Sequence, residues 1–176
     1  MMGPNVSPVN PFNIKRFSKN VLDVLDEMPK IDLLLLSHDH YDHLDVLSIQ
    51  KLKGKVENYW VSLGTKRHLV EWGVHDEKVV EFDWWDSLLL DTIEITVTPS
   101  RHSGGRRLGD RDKTLWGGWA IKSKTGSVYF SGDGGYGNHF KTIGDKLGPF
   151  DLCFMECGQY NKLWHQIHMF PYESVQ

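Results

Sequence analysis

Three histidines and several carboxylates lie close together in the first quarter of the chain, where segment 37–45 reads Ser-His-Asp-His-Tyr-Asp-His-Leu-Asp. Clustered imidazoles and carboxylates are ligands that zinc and similar divalent ions prefer. In an extended loop His38 and His40 point to the same side, while Asp42 and His43 can turn toward a second point. Two ions about 3.5 to 4 Å apart can share one hydroxide and hold the attacking and leaving oxygens of a displacement. The spacing therefore predicts a two-metal hydrolytic site.

The elements around this cluster support that interpretation. The apolar run 31–36 precedes it and predicts a short buried strand, and a candidate helix at 45–53 follows. Sheets of α/β proteins usually place their ligands at the C-terminal ends of strands. A solvated histidine-rich tail or a charged loop without metal is the alternative, but neither is expected between a core strand and a helix.

Two later residues repeat this placement. His102 follows the alternating segment 92–98, and Asp133 lies in a glycine-rich loop after a predicted strand at 127–131. Glycines around Asp133 allow a close approach of the backbone to an ion. Taken alone, each residue is explained equally well as an ordinary polar loop residue. With the first cluster present, both are predicted metal ligands.

The coarse pattern of the chain predicts a mixture of strand-helix units and hairpins. Predicted helices are 21–28, 46–53, 65–72 and 138–147, and predicted strands are 31–36, 56–62, 79–82, 87–90, 92–98, 116–122, 127–131 and 151–156. No repeat or low-complexity linker interrupts them, so residues 1–176 are expected to form a single domain. Cys153 is predicted to lie in the core, and Cys157 in a loop near the site.

The chain resembles the metallo-β-lactamase superfamily, because segment 38–43 matches its His-x-His-x-Asp-His signature and a later isolated His and Asp match its next ligands. Within the superfamily it is similar to the branch of N-acylphosphatidylethanolamine-hydrolysing phospholipase D and its bacterial relatives. The segments that carry this closer resemblance are Ser7-Pro8, Lys15-Arg16-Phe17, 115–119, 132–136, 158–160, and His168 with Pro171 and Glu173.

The resemblance implies an α/β fold, the four-layer αββα sandwich, and a set of metal ligands. In that pattern His38, His40 and His102 bind a first Zn²⁺, Asp42 and His43 bind a second, and Asp133 bridges both. Mn²⁺ or Fe²⁺ are alternatives to zinc. The family's last histidine ligand does not occur before Gln176, and its N-terminal strands do not precede Gly3. The sandwich is therefore expected to be incomplete, as in the middle part of a longer protein.

Three kinds of residue are predicted to act on substrate. Asp42 is expected to orient the hydroxide as well as bind metal. His168 is expected either to protonate the leaving alkoxide or to hydrogen-bond a ligand, with equal weight. Tyr160 is a predicted substrate contact from the resemblance.

Segment 101–113 carries five basic and two acidic residues, which indicates either a solvated loop or an anion-binding rim beside His102. In the second interpretation Arg106 and Arg107 bind substrate phosphate. Because surface charges usually matter little to stability, replacing both is expected to leave folding unchanged.

Together these features predict a zinc-dependent hydrolase, a phosphodiesterase of phospholipase D-like type that acts on a small-molecule or lipid phosphodiester through a metal-bridging hydroxide. A metal-dependent lactonase or carboxylic ester hydrolase, and a catalytically silent truncated metal-binding domain, are the alternatives. A net charge of −3 disfavours nucleic acid as a partner. No apolar run approaches the about 20 residues of a membrane span, and no export signal is recognised, so a cytoplasmic protein is expected unless a signal precedes Met1. The uncovered sheet edge of an incomplete sandwich favours a homo-oligomer.

Overall fold

A computed structural model of the chain describes residues 2–3, 5–7, 14–16, 18 and 20–176. The chain divides into two compact units, unit 1 with residues 1–81 and 104–114, and unit 2 with residues 82–103 and 115–176. Of the segments that carry the resemblance, Pro8 and Phe17 lie outside the described residues. Among the described residues no helix is long and apolar enough to cross a membrane.

Unit 1 contains a two-stranded and a three-stranded sheet. Its strands are β1 (Asn5–Ser7), β2 (Ile14–Lys15), β3 (Ile31–Leu36), β4 (Val56–Ser62) and β5 (Val79–Phe82), whose last residue falls in unit 2. Its helices are α1 (Val24–Glu27), α2 (Val46–Leu52) and α3 (Lys66–Glu71), with single 3-10 turns at Val21–Asp23 and Asp76–Lys78. β1 pairs with β2, and β3 pairs in parallel with β4 in the order β3-β4-β5. The parallel pair requires a crossover, which α2 supplies.

The core of unit 1 fixes the strand that leads into the histidine cluster. Leu36, Tyr59 and Leu69, from β3, β4 and α3, pack with Ile49 of α2 in one buried apolar cluster. Asp45 caps α2 by accepting hydrogen bonds from the backbone N–H groups of the second and third helical residues. The loop between β3 and α2 is therefore anchored at both ends.

Unit 2 contains a five-stranded sheet and one helix. Its elements are β6 (Ser87–Leu90), β7 (Ile93–Thr98), β8 (Gly118–Lys122), β9 (Ser127–Phe130), α4 (His139–Leu147) and β10 (Leu152–Phe154), and the strand order is β10-β9-β8-β7-β6. Ile143 of α4 packs on Ala120 and Tyr129. Neighbouring strands from β6 to β9 are antiparallel, and β10 is parallel to β9. β7, β9 and β10 consequently run in the same direction, and their C-terminal ends lie at the same end of the sheet.

Most predicted elements are confirmed. The strands at 31–36, 56–62, 79–82 and 87–90 have the predicted bounds, and Gly73 ends the α3 segment with a φ of 86°. The predicted helix 21–28 is split into a 3-10 turn and α1, and Val24 at the start of α1 is 50% exposed.

The prediction of Cys153 as a core residue is wrong. The predicted strand at 151–156 shortens to the three residues of β10, which lies at the edge of the sheet, and all three are exposed. An apolar run at a sheet edge has the same sequence pattern as a central strand, so the pattern alone does not separate the two. Cys157 lies in the loop after β10, as predicted, and is also exposed.

Candidate metal centre

The loop after β3 gathers the three histidines of unit 1. The chain turns at His40, whose carbonyl oxygen accepts hydrogen bonds from the backbone N–H groups of His43 and Leu44 at 3.0 and 2.8 Å. This turn brings His43 back toward His38, with ring centroids 4.2 Å apart, while the rings of His38 and His40 are 4.6 Å apart. Three imidazoles at this spacing form a compact donor group, in which His43 lies beside His38.

Asp42 completes that group with a carboxylate. Its Oδ2 lies 3.4 Å from Nε2 of His43. Burial acts to raise the pKa of Asp42, but the hydrogen bond and positive charge of His43 outweigh it and lower the pKa to about 2. Asp42 is therefore ionised at neutral pH, which a metal ligand or a hydrogen-bond acceptor for water requires.

Asp39 sits within the same cluster but faces the other way. It is fully buried, and its Oδ1 accepts a hydrogen bond of 2.7 Å from the backbone N–H of Gly105. Its Oδ2 lies 3.4 Å from Nε2 of the buried His68. Burial acts to raise the pKa of Asp39, yet the neighbouring His68, the hydrogen bond from Gly105 N–H and the neighbouring Thr114 hold it below its usual value. Asp39 thus ties the histidine loop to segment 104–114.

Arg106 makes a second tie within unit 1. Its Nη1 donates hydrogen bonds of 2.6 Å to the carbonyl oxygens of both Asp39 and Leu44. Its guanidinium carbon lies 4.1 Å from the centroid of the Tyr41 ring, and the Tyr41 hydroxyl donates to the Arg106 carbonyl at 2.8 Å. These contacts argue against the expectation that replacing this arginine leaves folding unchanged, because its guanidinium closes the loop that carries the histidines.

Arg107, in contrast, is exposed. Three-quarters of its side chain is accessible, and its Nη2 lies 3.9 Å from Glu71 Oε1. With Arg67, Lys113 and other residues it lines a polar cavity of about 290 Å³ in unit 1. Its side chain is the accessible one of the two arginines predicted to bind substrate.

In unit 2 the candidate ligands lie at the end of the sheet where β7, β9 and β10 terminate. His102 follows β7 and Asp133 follows β9. The Ser100 hydroxyl donates to the Asp133 carbonyl oxygen, and Gly135 N–H donates to the Arg101 carbonyl oxygen at 2.9 Å. These bonds join the two loops and place the two side chains side by side.

Glycines permit that approach. Gly132 has a φ of 62°, in the left-handed region, and a Cβ on Gly134 would come within 2.3 Å of the Ser100 hydroxyl. These glycines therefore let the loop of Asp133 pack against the loop that follows β7, whereas the predicted close approach of their backbone to an ion stays a prediction.

His168 joins this pair from the segment after β10. Its ring centroid lies 5.2 Å from that of His102. One donor atom each of His102, Asp133 and His168 lie within 4.8 Å of one another. Two ligands of one zinc ion are about 3.4 Å apart in a tetrahedral site, so a small contraction suffices for this group to hold an ion.

Each unit therefore brings together the candidate ligands that belong to it. Unit 1 gathers His38, His40, Asp42 and His43, and unit 2 gathers His102, Asp133 and His168. Tyr160 is 52% exposed, with its ring centroid 5.4 Å from that of Phe170. Sequence reasoning missed Asp39, although its position between His38 and His40 in an extended loop implies the opposite orientation. It also missed Glu156, a buried carboxylate beside His168, for which the sequence offered no signal.

Comparison with known proteins identifies a family and related sequences. A family model described as beta-lactamase superfamily domain matches residues 7–176. An uncharacterized protein of Mycobacterium tuberculosis is 42% identical over 153 residues, which cover 86% of this chain and 41% of that protein. N-acyl-phosphatidylethanolamine-hydrolyzing phospholipase D 1 of Caenorhabditis elegans is 38% identical over 165 residues, covering 86% of this chain and 46% of that enzyme. The chain thus spans less than half the length of these two relatives.

Among solved structures, the metallo-beta-lactamase fold protein YhfI from Bacillus subtilis matches with a TM-score of 0.57 and 19% identity. The match covers 81% of this chain and 57% of that one. At this level of identity the likeness concerns the fold alone.

Proposed function

The chain belongs to the β-lactamase superfamily, and on that premise we propose that it is a metal-dependent hydrolase that cleaves a phosphodiester of a lipid or other amphiphile. Its α/β fold of the metallo-β-lactamase type, expected from the histidine signature, is confirmed by the family and structural matches. The observation that carries the proposal is that each unit gathers imidazole and carboxylate donors at a strand end, where α/β proteins place their chemistry.

The donor groups fit divalent metal ions. The proposed ligands are His38, His40 and His102 for one ion, Asp42 and His43 for the other, and Asp133 for both. His102 Nδ1 lies 3.0 Å from the carbonyl oxygen of Ile167, which only accepts hydrogen bonds, so the lone pair of this imidazole is on Nε2. When bound, such ions supply a water of lowered pKa and polarise phosphoryl oxygens.

Asp42 and His168 are the proposed catalytic side chains. Asp42, ionised because of His43, accepts a hydrogen bond from the attacking water and orients it. During hydrolysis the P–O bond to the leaving group breaks, and one proton of the consumed water ends on the leaving alkoxide oxygen. We assign the transfer of that proton to His168, whose ring nitrogen takes it up and passes it to the leaving oxygen, and the alternative role for His168 is a hydrogen bond to a ligand.

The proposed substrate contacts differ in what else they do. Arg107 has an exposed guanidinium, and its planar donors suit the oxygens of a phosphodiester. Arg106 is proposed to add positive charge beside the site while its Nη1 holds the loop. Tyr160 offers an exposed ring to the rest of the substrate.

A lipid phosphodiester is proposed because the Caenorhabditis elegans relative is named for hydrolysis of N-acyl-phosphatidylethanolamine. Zinc is the proposed metal, since the donor groups are rich in imidazole.

The experiment is a hydrolysis panel with purified, zinc-reconstituted protein. We expect release of phosphatidic acid from N-acyl-phosphatidylethanolamine vesicles, close to two zinc ions per chain by emission spectroscopy, and no comparable hydrolysis of lactones. His40→Ala should lose one ion, and Asp133→Ala should weaken the binding of both. His75→Ala is the matched control, because His75 is an exposed histidine outside both donor groups.

Two results would overturn the proposal. Hydrolysis of lactones or carboxylic esters alone would favour the esterase alternative, and a protein that binds zinc but hydrolyses no member of the panel would favour a silent metal-binding domain. Absence of bound metal after refolding with zinc would refute the ligand assignment itself.

A further inference from the structure

A buried carboxylate organises the segment that carries His168. Glu156 follows β10 and is 8% exposed. Its Oε1 lies 3.0 Å from Nδ1 of His168 and accepts a hydrogen bond of 2.9 Å from Gly158 N–H, while its Oε2 accepts one of 2.8 Å from Met169 N–H. A buried carboxylate that holds an imidazole and two backbone donors is fixed in position, because any rotation breaks several charge-assisted hydrogen bonds.

The backbone of Glu156 is held as firmly as its side chain. Its N–H donates to the Ser131 hydroxyl at 2.9 Å, and its carbonyl oxygen accepts from the Ser174 hydroxyl at 2.7 Å. Ser131 directly follows β9, two residues before Asp133. Glu156 therefore links the loop that carries Asp133 to the segment that carries His168, within unit 2.

The hydrogen-bond chemistry specifies which nitrogen of His168 carries its proton. A carboxylate only accepts, so Nδ1 of His168 is the donor and the lone pair of the neutral ring is on Nε2. Because Nδ1 is turned to Glu156, Nε2 is the ring nitrogen that can serve the group formed with His102 and Asp133. The same tautomer holds for His102, whose Nδ1 donates to a backbone carbonyl.

We propose that Glu156 is a positioning residue of the site, which fixes His168 in the Nδ1–H tautomer and aims its Nε2 toward His102 and Asp133. The purpose of this arrangement rests on the proposed function, in which His168 acts through that nitrogen. The geometric statement stands on the contacts of Glu156 alone.

Glu156→Gln tests this, because it keeps the size of the side chain and removes one acceptor. If the amide oxygen faces His168, the amide nitrogen opposes Met169 N–H, and in the reverse orientation it donates to Nδ1 and moves the histidine proton to Nε2. Glu173→Gln is the matched control. Glu173 Oε2 accepts from Phe170 N–H at 2.8 Å in the same segment, and a Gln oxygen can replace it.

The first measurement is the tautomer of His168 by long-range ¹H–¹⁵N correlation in zinc-loaded protein. Wild-type protein and Glu173→Gln should show a proton on Nδ1, and Glu156→Gln should show a mixture or the opposite tautomer. With a phosphodiester substrate, Glu156→Gln should lower kcat about 10- to 100-fold with little change in KM, the range found when a partner of a metal-site histidine is removed.

A proton on Nε2 of His168 in the wild-type protein would overturn the proposal without any variant. So would an unchanged tautomer and kcat in Glu156→Gln. If wild-type protein hydrolyses no phosphodiester but His168 shows the expected tautomer, the proposed function fails and the positioning role of Glu156 stands.

Discussion

The two donor groups are built in different ways. In unit 1 the donors lie in one loop, residues 38–43, and hydrogen bonds of polar side chains hold that loop in place. In unit 2 the donors come from positions 102, 133 and 168. The common direction of β7, β9 and β10 brings these donors to one end of the sheet. The arrangement of the donors in unit 1 therefore depends on a few side-chain contacts. The arrangement of the donors in unit 2 depends on the backbone conformation of the segments that carry them. Substitutions should therefore act differently in the two units.

The largest effect is expected from Asp39→Ala in unit 1. This change leaves the Gly105 N–H and His68 without their buried acceptor, and it should lower the free energy of unfolding by about 3 kcal/mol. Urea unfolding measures it, and zinc content should fall as well because the histidine loop loosens. Asp32→Ala, at an exposed aspartate of β3 in the same unit, is the control. Equal stabilities for the two variants would show that the loop does not depend on Asp39.

Arg106 and Arg107 are neighbours in sequence, and their replacement should affect stability to different extents. Arg106→Ala removes two hydrogen bonds to carbonyl oxygens and the contact with the Tyr41 ring, and it should lower the free energy of unfolding by about 2 kcal/mol. Arg107→Ala removes an exposed charge and should change it by less than about 0.5 kcal/mol. Thermal melts of both variants test this, and similar melting temperatures would contradict the assigned role of Arg106.

In unit 2 the backbone should matter more than a single polar contact. Gly132→Ala places a Cβ on a residue with a φ of 62°, which should lower the free energy of unfolding by about 1 to 2 kcal/mol and displace Asp133. The control is Gly144→Ala, since Gly144 lies inside α4 with open space around it. Gly144→Ala should raise the free energy of unfolding by up to about 1 kcal/mol, because alanine has a higher helix propensity than glycine. Zinc titration and urea unfolding distinguish the two, and an unaffected Gly132→Ala would show that this φ is not required.

The smallest effect is a pH dependence in unit 2. Burial and the charge of Arg101 lower the pKa of His139 to about 4, below the about 6.5 of a histidine in an unfolded chain. Above pH 7 the group is neutral in both states and contributes nothing. Between about pH 6.5 and 4 only the unfolded state takes up the proton, so stability falls as the pH falls.

Urea unfolding of metal-free protein from pH 7.5 to 4.5 measures this dependence. His139→Gln should reduce the loss of stability on acidification, whereas His75→Gln, at an exposed histidine, should not. The same acid sensitivity in the wild-type protein and His139→Gln would show that this histidine does not remain neutral in the folded state.

The contrast between the units also explains what the sequence predicts well. The donors of unit 1 are predictable from the sequence because the strand, the turn and the candidate ligands follow one another directly along the chain. The strand β3 has its predicted bounds. His102 and Asp133 are predictable because each follows a recognisable strand of a hairpin. Asp39 and Glu156 are not, because each contacts a residue outside its own element, Gly105 for Asp39 and His168 for Glu156. The antiparallel β1–β2 pair was also missed, since two short strands carry too little periodicity to be recognised.

The division of the chain has a consequence for how the protein folds. Unit 1 ends at residue 81 and resumes only at residues 104–114, so Gly105 and Arg106, which tie the histidine loop, are made after the first strands of unit 2. The bond between Asp39 and Gly105 closes a loop of 66 residues, and contacts of such sequence separation form late and slow the search for the native state. During synthesis the histidine signature emerges from the ribosome before its anchors, which follow only after β6 and β7 have been translated. A nascent chain arrested before residue 104 therefore carries the metal-binding sequence without the contacts that hold it in place.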